Sequence, residues 1–200
     1  MRSPLDAFDR RNLLTYVSLL CGMGALLSAT LGRASWAGGA IALAVIADTF
    51  DGRFARMFES DDTRKAIGGE LDSLADAVVF GAVPVACAIL LAGTSAPAAR
   101  ATLWISAFVY VACAITRLAF FNIHSAGAQT GFVGIPVPVA ALTWASALLT
   151  HPSAVASASI IAVAAIAMVV PLRIARPTGA GLVLFTLWPV SVLLGHAGIV

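Results

Sequence analysis

The chain has 200 residues, 60% of them hydrophobic and only 11% charged, with a formal net charge of +2. Soluble domains carry about 25% charged residues, and too few polar residues are present here to cover a water-facing surface. This excludes an ordinary soluble domain, gives no sign of nucleic-acid binding, and predicts a single all-α domain over residues 1–200, a polytopic transmembrane helix bundle.

Taken in order, Ser3-Pro4-Leu5-Asp6 reads as a helix start, with a serine cap, proline at the first helical position and an acid three residues after the cap. A short helix through Arg11 would carry Asp6, Asp9, Arg10 and Arg11 beside Leu5 and Phe8, which suits a membrane surface. A frayed polar terminus is the plain alternative, and residues 1–12 form a juxtamembrane segment on either reading. Residues 13–31 are the first predicted span, too long for a signal-peptide core and read as retained. The second covers residues 36–58 and holds Asp48 and Asp51. A polar turn (59–65) leads to the third, 68–91, with Glu70, Asp72 and Asp76 in its first turns. Residues 98–121 make the fourth. A loop with Gly127, Gly131, Gly134, Pro136 and Pro138 precedes the fifth (137–149) and sixth (154–172). The last, 181–194, is short and holds Pro189, so it is expected to be broken or tilted. Seven spans are counted, within a range of six to eight.

Lysine and arginine set the orientation. With the N-terminus in the cytoplasm, ten of the twelve (Arg2, Arg10, Arg11, Arg53, Arg56, Arg64, Lys65, Arg117, Arg173 and Arg176) fall on that side, and Arg33 and Arg100 on the other. Cys21, Cys87 and Cys113 each lie in an apolar run and read as small buried hydrophobes. No role is assigned to His124, His151 or His196.

Eight of the ten acidic residues lie between Asp48 and Asp76, and none follows. Asp48 and Asp51 are three apart, Asp72 and Asp76 four apart, so each pair shares a helix face. The two helices are consecutive and joined by a short turn, which predicts antiparallel neighbours with both pairs facing one cavity. Each intramembrane Asp costs about 2.5–3.5 kcal/mol, and something must offset that. One solution is ion pairing with Arg53, Arg56 or Arg64. The other is a hard divalent cation, which all-oxygen coordination suits. Gly52, Ala55 and Gly68 sit beside the acids and would let a bulky ligand approach, or would serve close helix packing. Arg56, on about the face of Asp48 and nearer the cytoplasm, suits a phosphate. Glu59, Asp61 and Asp62 read as the solvated turn, and Glu70 is unassigned.

The pattern Asp48-x2-Asp51-Gly52-x2-Ala55-Arg56-x11-Gly68-x3-Asp72-x3-Asp76 resembles the signature of the CDP-alcohol phosphatidyltransferases. Asn12-Leu13-Leu14-Thr15, Glu70 to Asp76 with Phe80-Gly81, and Arg117 to Asn122 with Phe132 to Pro138 are similar to the phosphatidylserine synthase branch. Phe120 stands where that branch often has a second arginine. The resemblance spans residues 12–141. It implies transfer of a phosphatidyl group from CDP-diacylglycerol to L-serine with release of CMP, assisted by two Mg²⁺ or Mn²⁺ ions. Asp48, Asp51, Asp72 and Asp76 would be the metal ligands, with Asp76 also the catalytic base. Asn12, Thr15, Gly52, Ala55, Arg56 and Gly68 would bind the donor, and Arg117 and Asn122 the acceptor. It further implies a homodimer among membrane lipids, in a cell inner membrane, with the site facing the cytoplasm. Glycerol 3-phosphate or an inositol phosphate are alternative acceptors. A divalent-cation transporter is the alternative from another class, because intramembrane Asp residues also line ion paths.

Overall fold

The computed structural model describes residues 4–93, 96–124, 131–175 and 180–199. The expected cap Ser3, the loop glycine Gly127 and the charges of Arg2 and Arg176 lie outside the described residues. Eight helical segments follow one another: α1 (Leu13–Thr30), α2 (Ala34–Ala55), α3 (Asp62–Asp76), α4 (Val83–Leu91), α5 (Pro97–His124), α6 (Val137–Ala147), α7 (Ala154–Val169) and α8 (Ala180–His196). A π-helical turn, Ala77–Ala82, joins α3 to α4 without a break. Among the described residues the result is seven continuous rods, as the apolar runs predict.

The N-terminus differs from the expected surface helix. Two 3-10 turns, Pro4–Ala7 and Arg10–Asn12, stand in its place. Asp9 is extended and its side chain accepts from the Arg11 amide, so a cap interrupts the helix between them. Helix three also starts earlier than its apolar pattern predicts. Asp61 accepts from the Arg64 amide at 2.7 Å, so it caps α3 and the polar turn shrinks accordingly. Helix α8 runs unbroken through Pro189.

Among the described residues the β structure is one antiparallel pair, β1 (Gly131–Val133) with β2 (Arg173–Ala175). It ties the entry of α6 to the exit of α7. Gly134 makes this possible: its φ is +70°, and a Cβ there would lie 2.0 Å from the Met168 carbonyl oxygen.

Among the described residues three stretches, Arg10–Thr30, Asp62–Leu91 and Pro97–His124, are long and apolar enough to cross a membrane. The chain is an integral membrane protein. Helix α2 is the centre of the bundle and packs against α1, α6 and α8, while α5 packs on α7 and α4 on α1. Small residues allow this. Ala37, Gly38, Gly39, Ala42 and Ala44 are all buried in α2, and small side chains let helix backbones approach closely in lipid. Leu20, Met23, Leu27, Trp104, Phe108 and Val163 point outward, where hydrocarbon is as good a solvent for them as the core. Asp48 and Asp51 lie in the C-terminal half of α2, and Asp72 and Asp76 in the C-terminal half of α3.

Candidate active site

Asp48 projects from α2, and Asp72 and Asp76 from successive turns of α3. One carboxylate oxygen from each of the three lies within 4.8 Å of the others. Asp48 faces Asp76 across the two helices, and Asp51 faces Asp72. Two carboxylates meet this closely only with a proton or a cation between them. Asp51 stands slightly apart from the trio, next to α1, where the Thr15 hydroxyl donates to its Oδ2 at 3.4 Å.

Among the described residues, none of the arginines expected as ion-pair partners is paired with these acids. Arg64 faces Asp9 and Asp61, each at 3.8 Å, and Lys65 holds Asp62 at 3.2 Å. The cation that does approach is Arg117 of α5, 7% exposed, whose charge attracts Asp76. Its guanidinium also lies 5.7 Å from the Phe121 ring. Four carboxylates against this guanidinium leave an excess of negative charge in a low-dielectric interior, where like charges repel strongly. The all-oxygen donor set and its spacing fit hard divalent cations.

Asn122 lies inside α5, not at its C-cap, because the helix continues to His124. Its Oδ1 accepts from Ser73 Oγ at 3.1 Å. Arg117 and Asn122 therefore both reach α3, one turn apart along it, at Asp76 and Ser73.

A cavity of about 230 Å³ opens beside the carboxylates. Its walls include Asn12, Thr15, Asp51, Gly52, Ala55, Arg56, Gly68 and Asp72, which are the expected donor residues and two of the acids. Asp48 and Asp76 lie a helical turn further into the bundle. A Cβ on Gly68 would sit 3.3 Å from Asn12 Oδ1, so glycine there lets the 3-10 turn before α1 close over α3. Gly52 leaves similar room beside Arg56, whose exposed guanidinium makes no ion pair among the described residues.

Three wall residues escape the sequence pattern: Arg11, Lys65 and Gly69. Arg11 Nε donates to the Ala55 carbonyl at 3.2 Å and its Nη1 bonds Ser60 Oγ, which ties the N-terminal turn to the end of α2. Arg11 immediately precedes Asn12, and that adjacency is the signal that could have found it. Glu70 is exposed on α3, away from the trio.

Residues 11–173 match the family model described as CDP-alcohol phosphatidyltransferase. The chain is 33% identical over 136 residues to a CDP-diacylglycerol–serine O-phosphatidyltransferase of Mycobacterium tuberculosis, covering 65% of this chain and 45% of that protein. It is 35% identical over 141 residues to the Helicobacter pylori protein of the same name, covering 70% of this chain and 56% of that protein. An archaetidylserine synthase of Methanothermobacter thermautotrophicus is 34% identical over 140 residues, 70% of this chain and 58% of that one. The matches thus span about half the length of these curated relatives.

Proposed function

The chain belongs to the CDP-alcohol phosphatidyltransferases, and from that premise we propose that it transfers the phosphatidyl group of CDP-diacylglycerol to L-serine, releasing CMP. The observation that carries this reading is the convergence of Asp48, Asp72 and Asp76 at the inner end of a cavity walled by Gly52, Ala55, Arg56 and Gly68.

Asp48, Asp51, Asp72 and Asp76 would hold two divalent ions, Mg²⁺ or Mn²⁺. Such ions polarise a phosphoryl group and stabilise charge on its leaving oxygen. The chain's own residues supply the rest. Gly52, Ala55 and Gly68 leave space for the nucleotide, flanked by Asn12 and Thr15, and the free guanidinium of Arg56 suits a phosphate. Thr15 orients Asp51 through its hydroxyl. Asp76 takes the proton of the serine hydroxyl as the serine oxygen bonds to phosphorus. The phosphorus–oxygen bond to CMP breaks, and CMP leaves with that electron pair. Arg117 beside Asp76 suits the serine carboxylate, which a guanidinium binds bidentately, and Asn122 completes the acceptor end. An acceptor bearing a phosphate would want further cations here. Serine is also the acceptor in the names of the relatives.

The same reading places the site at the cytoplasmic face of a cell inner membrane, where Arg10, Arg11, Arg53, Arg56, Arg64 and Lys65 gather. The acyl chains stay in the bilayer, and the enzyme works as a homodimer. The test is CMP release from CDP-diacylglycerol by the purified protein in lipid, screened over acceptors. Release is expected only with L-serine and a divalent ion. Release with glycerol 3-phosphate in its place would overturn the serine assignment.

A further inference from the structure

Pro84 has no amide hydrogen, and in an α-helix residue 84 would donate to the carbonyl of Phe80. The chain accommodates this with the π-turn Ala77–Ala82, in which the Val83 amide donates to Val78 O. The Phe80 carbonyl is met from outside the helix: Tyr110 Oη of α5 donates to it at 3.0 Å. Both residues are buried, Phe80 completely and Tyr110 to within 1%. In that setting a carbonyl without a donor is costly.

The turn begins at the residue after Asp76. A π-turn accommodates one residue more than an α-turn, and one residue is about 100° of helix rotation. Upstream of it, Asp72 and Asp76 face the acids of α2. Downstream, Val83, Pro84, Val85, Cys87 and Ala88 are buried. Without the turn, the two stretches would stand about 100° out of their present phase. Helix α5 is fitted to it along one face, because Tyr110, Ala114 and Arg117 recur at helical spacing. Arg117 attracts Asp76, and the Ala114 methyl lies 3.5 Å from where a Cβ on Gly81 would stand.

We propose that Tyr110 is a positioning residue for Asp76: its hydroxyl, bonded to the Phe80 carbonyl, holds the π-turn that aims Asp76 at Asp48. The inference rests on the reading of Asp76 as part of the reacting cluster. The test compares Tyr110→Phe with Ser146→Ala, which removes the hydroxyl that accepts from Trp188 Nε1 at 3.1 Å in another part of the bundle. Two readouts are taken: steady-state CMP release, and the rise in melting temperature on titrating Mn²⁺.

Both variants are expected to fold and to melt somewhat below wild type. Tyr110→Phe alone should lower kcat about tenfold and raise the Mn²⁺ midpoint about tenfold, as loss of an outer orienting partner does, with KM for CDP-diacylglycerol within about twofold. If Tyr110→Phe matches Ser146→Ala in both kcat and Mn²⁺ midpoint, the proposal is overturned. Should Tyr110→Phe not fold, Ala114→Val decides. It pushes α5 off the π-turn with the hydroxyl still present, and an unchanged kcat and Mn²⁺ midpoint there would overturn the proposal. Wild-type CMP release tests the function itself. A wild type that responds to Mn²⁺ but releases no CMP would remove the function and leave the positioning question to the thermal titration.

Discussion

Asp48 on α2 and Asp76 on α3 each bring a carboxylate oxygen within 4.8 Å of the other's, although each belongs to a different half of the acidic stretch. Holding two carboxylates together this way opposes folding unless something positive joins them. Asp48→Asn therefore has opposite effects with and without metal. In chelator, the variant loses a like-charge repulsion and its melting temperature should rise by about 2–4 °C for each kcal/mol relieved. In Mn²⁺, wild type should gain stability and the variant should not. CMP release should fall at least about 100-fold, as when a group that stabilises transition-state charge is removed. A variant that melts below wild type in chelator would contradict the repulsion.

Gly68→Ala tests the cavity wall. The added methyl would sit 3.3 Å from Asn12 Oδ1, close enough that α1 or Asn12 must give way. Overpacking of this size costs about 1–3 kcal/mol. Because the methyl enters the nucleotide space and not the carboxylate trio, the cost should appear as KM for CDP-diacylglycerol, raised about fivefold or more for each kcal/mol or so. The turnover number at saturating donor should stay within about twofold. A drop in kcat with KM unchanged would move Gly68 from the donor space to the reacting centre.

The acids were legible because their cost in lipid is so high that four of them at helical spacing point to one site. Helix spans were legible from apolar runs for the same reason. What spacing does not reveal is a change of helical phase. The π-turn after Asp76 follows from Pro84 and from a tyrosine on another helix, and neither is visible in a periodicity. Asp61 is a cap hidden inside a polar run, where Glu59 and Asp62 look equivalent to it. Arg117 was legible as a basic residue at a helix end, yet its approach to Asp76 depends on the packing of α5 against the π-turn that follows Asp76. The small β1–β2 pair depends on Gly134 and on two segments far apart in the chain.

Asp61→Ala isolates the cap of α3. Removing an N-cap acid costs about 1 kcal/mol, here through the lost bond to the Arg64 amide. The melting temperature should fall by about 2–4 °C. The cap lies outside the cavity, so KM for either substrate should be unchanged. A KM shift as large as that of Gly68→Ala would mean that the start of α3 contacts the donor directly.

Arg117 separates charge from shape. Lysine there keeps a cation facing Asp76, so Arg117→Lys should remain folded, but it lacks the planar fork that grips a carboxylate by two bonds. KM for L-serine should rise about tenfold, which corresponds to the loss of about 1.4 kcal/mol, while KM for CDP-diacylglycerol holds. Arg117→Gln removes the charge as well. It leaves Asp76 facing Asp48 and Asp72 without the nearby guanidinium, and the variant should melt below Arg117→Lys. Adding Mn²⁺ should narrow that gap, because a cation among the carboxylates replaces part of the lost charge. If Arg117→Lys keeps the wild-type KM for serine, the guanidinium acts on Asp76 alone and the serine carboxylate is held elsewhere.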